Sequence, residues 1–258
     1  MQSKYKSIIL WIVLIVFFTI ATAFVHSKRN QMKCAKVEIV INDSLNNIFI
    51  SKEDVLTHIK KQNIKLLGQS LWNINTDELE KIINSRSAVR NAEVYADDNG
   101  ALNISVDQRE PIMRVISNRG LSYYVDIEGN IMPLSKKYTS HVLVFNGYIN
   151  DKKLTLRQEN VSVGNNPMLA DMYKMAKFVY SDVFWRSQIQ QVYVDKRGDI
   201  ELIPRVGAHI IQLGAISGYK YKLKKLRALY DYGFRVKGWN NYRTINLKYS
   251  NQVVCTKR

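Results

Sequence analysis

Cysteine is nearly absent: Cys34 and Cys255 are the only two in 258 residues. That excludes a disulfide framework and a four-ligand thiolate zinc site, and it leaves either one bridge or two unpaired thiols near the ends of the folded part. The four histidines, His26, His58, His141 and His209, are far apart, and none has a metal-ligand partner three or four residues on. Hallmarks of catalysis are missing as well. The sequence contains no GxGxxG, no phosphate loop and no GxSxG elbow, so nucleotide and nucleophile-elbow acyl-transfer chemistry lack their residues. The acidic pairs Asp97-Asp98 and Glu53-Asp54 suit a hairpin turn and a helix start. The expectation is therefore a protein with no catalytic residues, no cofactor, no metal and no small-molecule substrate. There are no internal repeats and no low-complexity tract.

What is present describes a folded, basic chain. Hydrophobic residues make up 46% and charged residues 23%, proportions ordinary for a globular protein and wrong for long disorder. The formal charge is +16, which permits nucleic acid, anionic lipid or an acidic polymer as partner without choosing among them. Most Lys and Arg are scattered. The denser run Lys220, Lys222, Lys224, Lys225 and Arg227 falls on an expected helix, where a solvated face is the simplest reading and an acidic partner the sharper one.

No charge interrupts Ser7 to Val25, and Ile8 to Val25 reads IILWIVLIVFFTIATAFV, close to the ~20 residues that span a hydrocarbon core. Trp11, Phe17, Phe18 and the β-branched residues leave no polar face for a soluble surface helix. A retained transmembrane helix over 8–25 is expected, preceded by a short cytoplasmic tail at 1–7. Ala21-Thr22-Ala23 resembles a cleavage site, but the apolar stretch is longer than a signal-peptide core. Lys28, Arg29, Lys33 and Lys36 after the span outnumber Lys4 and Lys6 before it. A large following domain is translocated largely regardless of such flanking charge, so the main domains are placed outside.

Beyond the anchor, Lys36 to Ile41 alternates as a strand, and Ser51-Lys52-Glu53-Asp54 forms a capping box before Val55, Leu56 and Ile59. Asn75 with Glu78 starts a second helix carrying Leu79, Ile82 and Ile83. Ala92 to Ala96 and Ala101 to Gln108 then read as strands around the turn Asp97-Asp98-Asn99-Gly100. This strand-helix-helix-strand-strand unit can bury a small core. After Pro111 the pattern turns to short strands near 113–116, 123–127, 142–145, 191–194, 200–203 and 209–213. Leu169, Met172, Tyr173, Ala176, Val179, Tyr180, Val183 and Phe184 form one helical stripe, read as core. A second helix from Ser217 to Tyr232 carries the seam Ile216, Tyr219, Leu223, Leu226 and Tyr230, with Gly233 as its stop. Thr244 to Val254 reads as a long strand or hairpin, a position that often leaves an edge free.

Three local sequences carry a resemblance. Gln108-Arg109-Glu110-Pro111 is similar to an Arg-x-Pro junction, Tyr124 to Gly129 to a Val-Asp-x-x-Gly turn, and Ile245-Asn246-Leu247-Lys248-Tyr249 to a Val-Asp-Leu-Arg-Tyr strand. Together with the order of elements, they resemble the FtsQ/DivIB family of bacterial cell-division proteins. Asn246 stands for the usual Asp and Lys248 for the usual Arg, a departure at any charge contact there.

The resemblance implies an α+β fold in which 36–109 is a POTRA domain and 110–258 an FtsQ-type β-domain with two helices. Both would be periplasmic, on a single-pass inner-membrane protein at the division septum. It also implies a scaffold that binds the FtsB and FtsL pair and helps recruit and regulate septal peptidoglycan synthesis. Leu247 to Val254 is the expected docking edge, with Leu247, Lys248, Tyr249, Val253 and Val254 as partner-binding residues. The basic helix is expected as an electrostatic rim, and nucleic acid is not expected as a partner. The alternative is a POTRA-bearing component of a secretion or outer-membrane assembly system.

Overall fold

The computed structural model of the chain describes residues 11–22, 32–42, 48–151, 160–161, 166–234 and 238–258. Helix α1 covers residues 11–22, and every side chain from Trp11 to Phe18 on it is exposed. The remainder of the expected span, 8–10 and 23–25, and the expected tail at 1–7 lie outside the described residues. Among those described, no helix is long and apolar enough to cross a membrane. Contacts within the chain divide it into two compact units, 1–108 and 109–258.

The first unit contains strand β1 (Lys36–Asn42), helices α2 (Lys52–Lys61) and α3 (Thr76–Asn84), and strands β2 (Val89–Ala96) and β3 (Ala101–Gln108). Local chemistry starts both helices. Ser51 caps α2 by accepting from the Asp54 amide at 3.3 Å, while the Asp54 carboxylate accepts from the Ser51 amide at 3.0 Å. Asn75 caps α3 through the Glu78 amide at 3.1 Å. The sheet order is β1-β3-β2, with β1 parallel and β2 antiparallel to β3. Val55 and Ile59 of α2 and Leu79 and Ile83 of α3 pack with Ile39, Val94, Leu102, Ile104 and Val106 of the sheet. That burial of whole aliphatic side chains, worth about 1.5–3 kcal/mol each, holds the unit together. Both cysteines of the chain are free thiols, Cys34 buried here and Cys255 half-buried in the second unit. Burial pushes both thiol pKa values up, away from the reactive thiolate.

The second unit is built on one nine-stranded sheet. Its strands are β4 (Pro111–Ser117), β5 (Ser122–Asp126), β6 (Ile131–Pro133), β7 (Leu143–Gly147), β8 (Ile189–Val194), β9 (Ile200–Pro204), β10 (Ile210–Gly214), β11 (Tyr242–Asn246) and β12 (Val254–Lys257). They lie in the order β12-β11-β10-β9-β8-β7-β4-β5-β6. Strands β4, β7 and β8 run parallel, as do β10 and β11; the remaining pairs are antiparallel. Helices α4 (Pro167–Ser181), α5 (Val183–Gln188) and α6 (Tyr219–Ala228) supply Leu169, Met172, Ala176, Trp185, Leu223 and Leu226 to the same core as Val115, Phe145, Val192, Leu202 and Ile211. At Gly147, φ is +100° and a Cβ would lie 2.2 Å from the Val194 carbonyl oxygen, so only glycine fits there.

Two expectations need correcting. The stripe expected to run unbroken to Phe184 is split, because Asp182 leaves the helical region at φ −102°, ψ 113° and its carboxylate accepts from the amides of Phe184 at 2.9 Å and Trp185 at 3.1 Å. Asp182 thus ends α4 and caps α5, and Val183 falls outside the core with 72% exposure. The helix expected over Ser217 to Tyr232 is α6 followed by a π turn at Leu229–Gly233, and that turn brings Tyr230 into the core.

Candidate functional site

The chain's last strand lies at one end of the larger sheet. β12 pairs with β11 through Asn246↔Val254, Ile245↔Cys255, Thr244↔Thr256 and Tyr242↔Lys257. Among the described residues no strand pairs with its outer side. Arg258 donates its backbone N–H to Asn241, so with strand alternation Thr256 and Val254 also turn their backbone groups toward β11. Cys255 and Lys257 therefore present theirs to the open side. The opposite edge, β6, has three residues and ends on Pro133, which has no backbone donor. It is the poorer edge to extend.

The connection from β11 to β12 is held from below by α6. Lys225 sends its ammonium to the carbonyls of Leu247 at 3.4 Å, Gln252 at 3.5 Å and, more closely, Tyr249. The Tyr221 hydroxyl donates to the Ser250 carbonyl at 3.0 Å. On the other side, Lys248 pairs with Asp199 at 2.5 Å and its stem covers Gly214, where a Cβ would meet Lys248 Cγ at 2.9 Å. The loop is thereby fixed and not left to flex in front of the edge.

The five residues expected to meet a partner separate by environment. Tyr249 and Val254 face solvent, at 51% and 41% exposure. Leu247 is fully buried, and its amide donates to the Gln212 carbonyl at 2.9 Å, continuing the β10–β11 ladder. Val253 packs partly buried against the core. Lys248 is occupied by Asp199 inside the domain. The open edge itself is carried by Val254–Lys257.

The basic helix is also more occupied than its sequence suggests. Lys222 donates to the Ala215 carbonyl at 2.6 Å, Lys220 lies over the Phe178 ring at 5.8 Å, and Arg227 pairs with Asp231 at 2.9 Å while stacking on Phe184 at 3.6 Å. Lys224 is exposed. No sequence signal separated Lys225 from its neighbours, because its role depends on a loop more than twenty residues away.

Two further polar clusters lie elsewhere in the unit. His209, just before β10, is buried, with Nε2 3.0 Å from the Tyr230 hydroxyl and Nδ1 without a hydrogen-bond partner among the described residues. Burial, and secondarily the charge of Arg258, hold its pKa below the ordinary histidine value. At the start of the unit, the residues of the first two motifs meet. Arg109 pairs with buried Asp126 at 2.8 Å and with Glu128 at 3.3 Å, while Asp126 accepts from the amides of Glu128 and Asn130 at 2.9 and 2.7 Å. Gly129 closes that turn at φ +89°. Among the described residues no cluster of His, Cys, Asp or Glu could hold a metal ion.

No curated protein matches the chain. A POTRA-like domain model matches residues 32–107. A family model described as FtsQ/DivIB, C-terminal related, matches residues 110–256.

Proposed function

Because the chain belongs to the FtsQ/DivIB family and so has a role in cell division, we propose that it is a non-catalytic division scaffold whose β12 edge docks an extended segment of an FtsB-type partner. The open backbone edge of Val254–Lys257 carries this reading. A strand laid there completes the unpaired donors and acceptors of Cys255 and Lys257, while exposed Tyr249 and Val254 offer side-chain contacts beside it. Lys225 and Tyr221 fix the loop in advance, which lowers the ordering cost of docking.

In this reading α1, with its uncovered apolar surface, belongs to a single-pass anchor over 8–25. Residues 36–109 and 110–258 are its POTRA and β-domains on the periplasmic side. The FtsB and FtsL pair is held at the septum, where synthesis of septal peptidoglycan is recruited and regulated. The C-terminal family match favours this role over a secretion or outer-membrane assembly component.

The test uses the full chain, tagged, in dividing cells. A septal ring and co-purification of the FtsB and FtsL pair are expected, and removal of 254–258 should abolish co-purification while the ring persists. Capture of the pair undiminished by that deletion would refute edge docking. A uniform envelope distribution of the intact protein would refute the septal role.

A further inference from the structure

A second recognition surface lies in the middle of the same sheet, well removed in strand order from β12. At the N-terminal ends of the parallel strands β4, β7 and β8, below the end of α4, there is an open concavity of about 250 Å³. Its apolar floor includes Ile112, Leu143, Val179 and Ile189. Arg114 of β4, Arg186 of α5 and Arg205 after β9 line it from three elements, together with His141 and the hydroxyl residues Thr139 and Ser140. Among the described residues no carboxylate lines it.

Two of the three guanidinium groups are already oriented. Arg114 lies 5.7 Å from the Tyr124 ring centre and donates through Nε to the Ser122 hydroxyl at 3.2 Å. Arg186 lies 5.4 Å from the Tyr180 ring centre. The rings are themselves fixed, since the Tyr180 hydroxyl bonds the Glu110 carboxylate and the Tyr124 oxygen accepts from the Ser140 amide at 3.2 Å. Burial, and then Glu110, push the Tyr180 phenol up, so it stays a neutral donor.

Like charges gathered in a concavity focus a positive potential, and a planar guanidinium fork matches the oxygens of a carboxylate or phosphate. Stacking removes part of the rotamer entropy that binding would otherwise cost. We infer that this concavity is a binding site for a small oxyanion, a carboxylate or phosphate carried on a short apolar stem. The mixed lining decides that chemistry: arginines take the anionic end, and the aliphatic floor takes the stem. The inference does not depend on the docking role of β12.

The full chain in neutral detergent is titrated by calorimetry with glutarate and, separately, inorganic phosphate. Saturable binding of either supports the site, and which of the two binds more tightly identifies the source of the oxyanion. The double variant Arg186→Gln, Arg205→Gln should weaken binding at least about tenfold, in line with losing two charge-assisted contacts. Arg205→Gln alone, at an exposed position, serves if the double variant melts early, and it should still weaken binding. Lys220→Gln with Lys224→Gln removes equal charge elsewhere and should leave binding unchanged. Absence of saturable binding to both anions would overturn the inference. So would equal affinity in the arginine variants, or an equal loss in the lysine control.

Discussion

Leu247 and Tyr249 are two residues apart, yet they belong to different problems. Leu247 is fully buried, so Leu247→Ala should cost about 2–5 kcal/mol through lost transfer energy and a cavity, read as a lower denaturant midpoint. Tyr249→Ala should leave the midpoint within about 0.5 kcal/mol, because the side chain is half in solvent, and should instead weaken partner capture. His209 gives a pH signature. Its folded pKa lies below the ordinary 6.5, so between the two values the unfolded chain binds more protons and stability rises with pH. Its contribution is present above about pH 6.5 and is lost as pH falls through the folded value. Chemical denaturation from pH 8 to 5 should show a steeper loss in the wild type than in His209→Gln, which keeps a partner for Tyr230 but has no ring to protonate.

At the scale of elements, the alternation of β12 separates two prolines. Cys255→Pro removes an N–H that faces the open side, which an edge strand tolerates, so the fold should survive and partner capture should fail. Thr256→Pro removes an N–H turned toward β11, so the melting temperature itself should drop. Thermal melts and pull-downs run together on the two variants distinguish docking from folding. The smaller unit was legible in the sequence because its signals are local. Ser51 and Asn75 mark the helix starts, and Asp97 with Gly100 marks the hairpin between β2 and β3. The split at Asp182 was not legible, since the apolar spacing continues through it and only the capping geometry breaks the helix. The edge expected over Leu247 to Val254 meets β12 only at Val254 for a similar reason: the segment before it alternates like a strand, but Leu247 continues the β10 ladder and the turn after it is tied down by Lys225. The arginines of the concavity come from 114, 186 and 205, and no sequence window shows that they share one surface.

For the whole molecule, the proposed anchor rests on the bare apolar surface of α1. A lysine at the centre of a spanning helix costs about 2.5–3.5 kcal/mol. Leu14→Lys should therefore shift the protein out of the carbonate-resistant membrane fraction, measured by immunoblot, without moving the melting transition of the folded units. Retention equal to wild type would refute the anchor.

The ladder between β10 and β11 has one mechanical consequence. It pairs only Ile210↔Thr244, Ile211↔Ile245 and Gln212↔Asn246, whereas the ribbon beyond it has four paired positions. Tension drawn through anything clasped on the outer rim would pass to this three-rung joint and then to the β9–β10 joint, which also pairs at three positions, so the rim is hung on two short ladders in series. The grip of α6 on the intervening loop would then act as a strain relief.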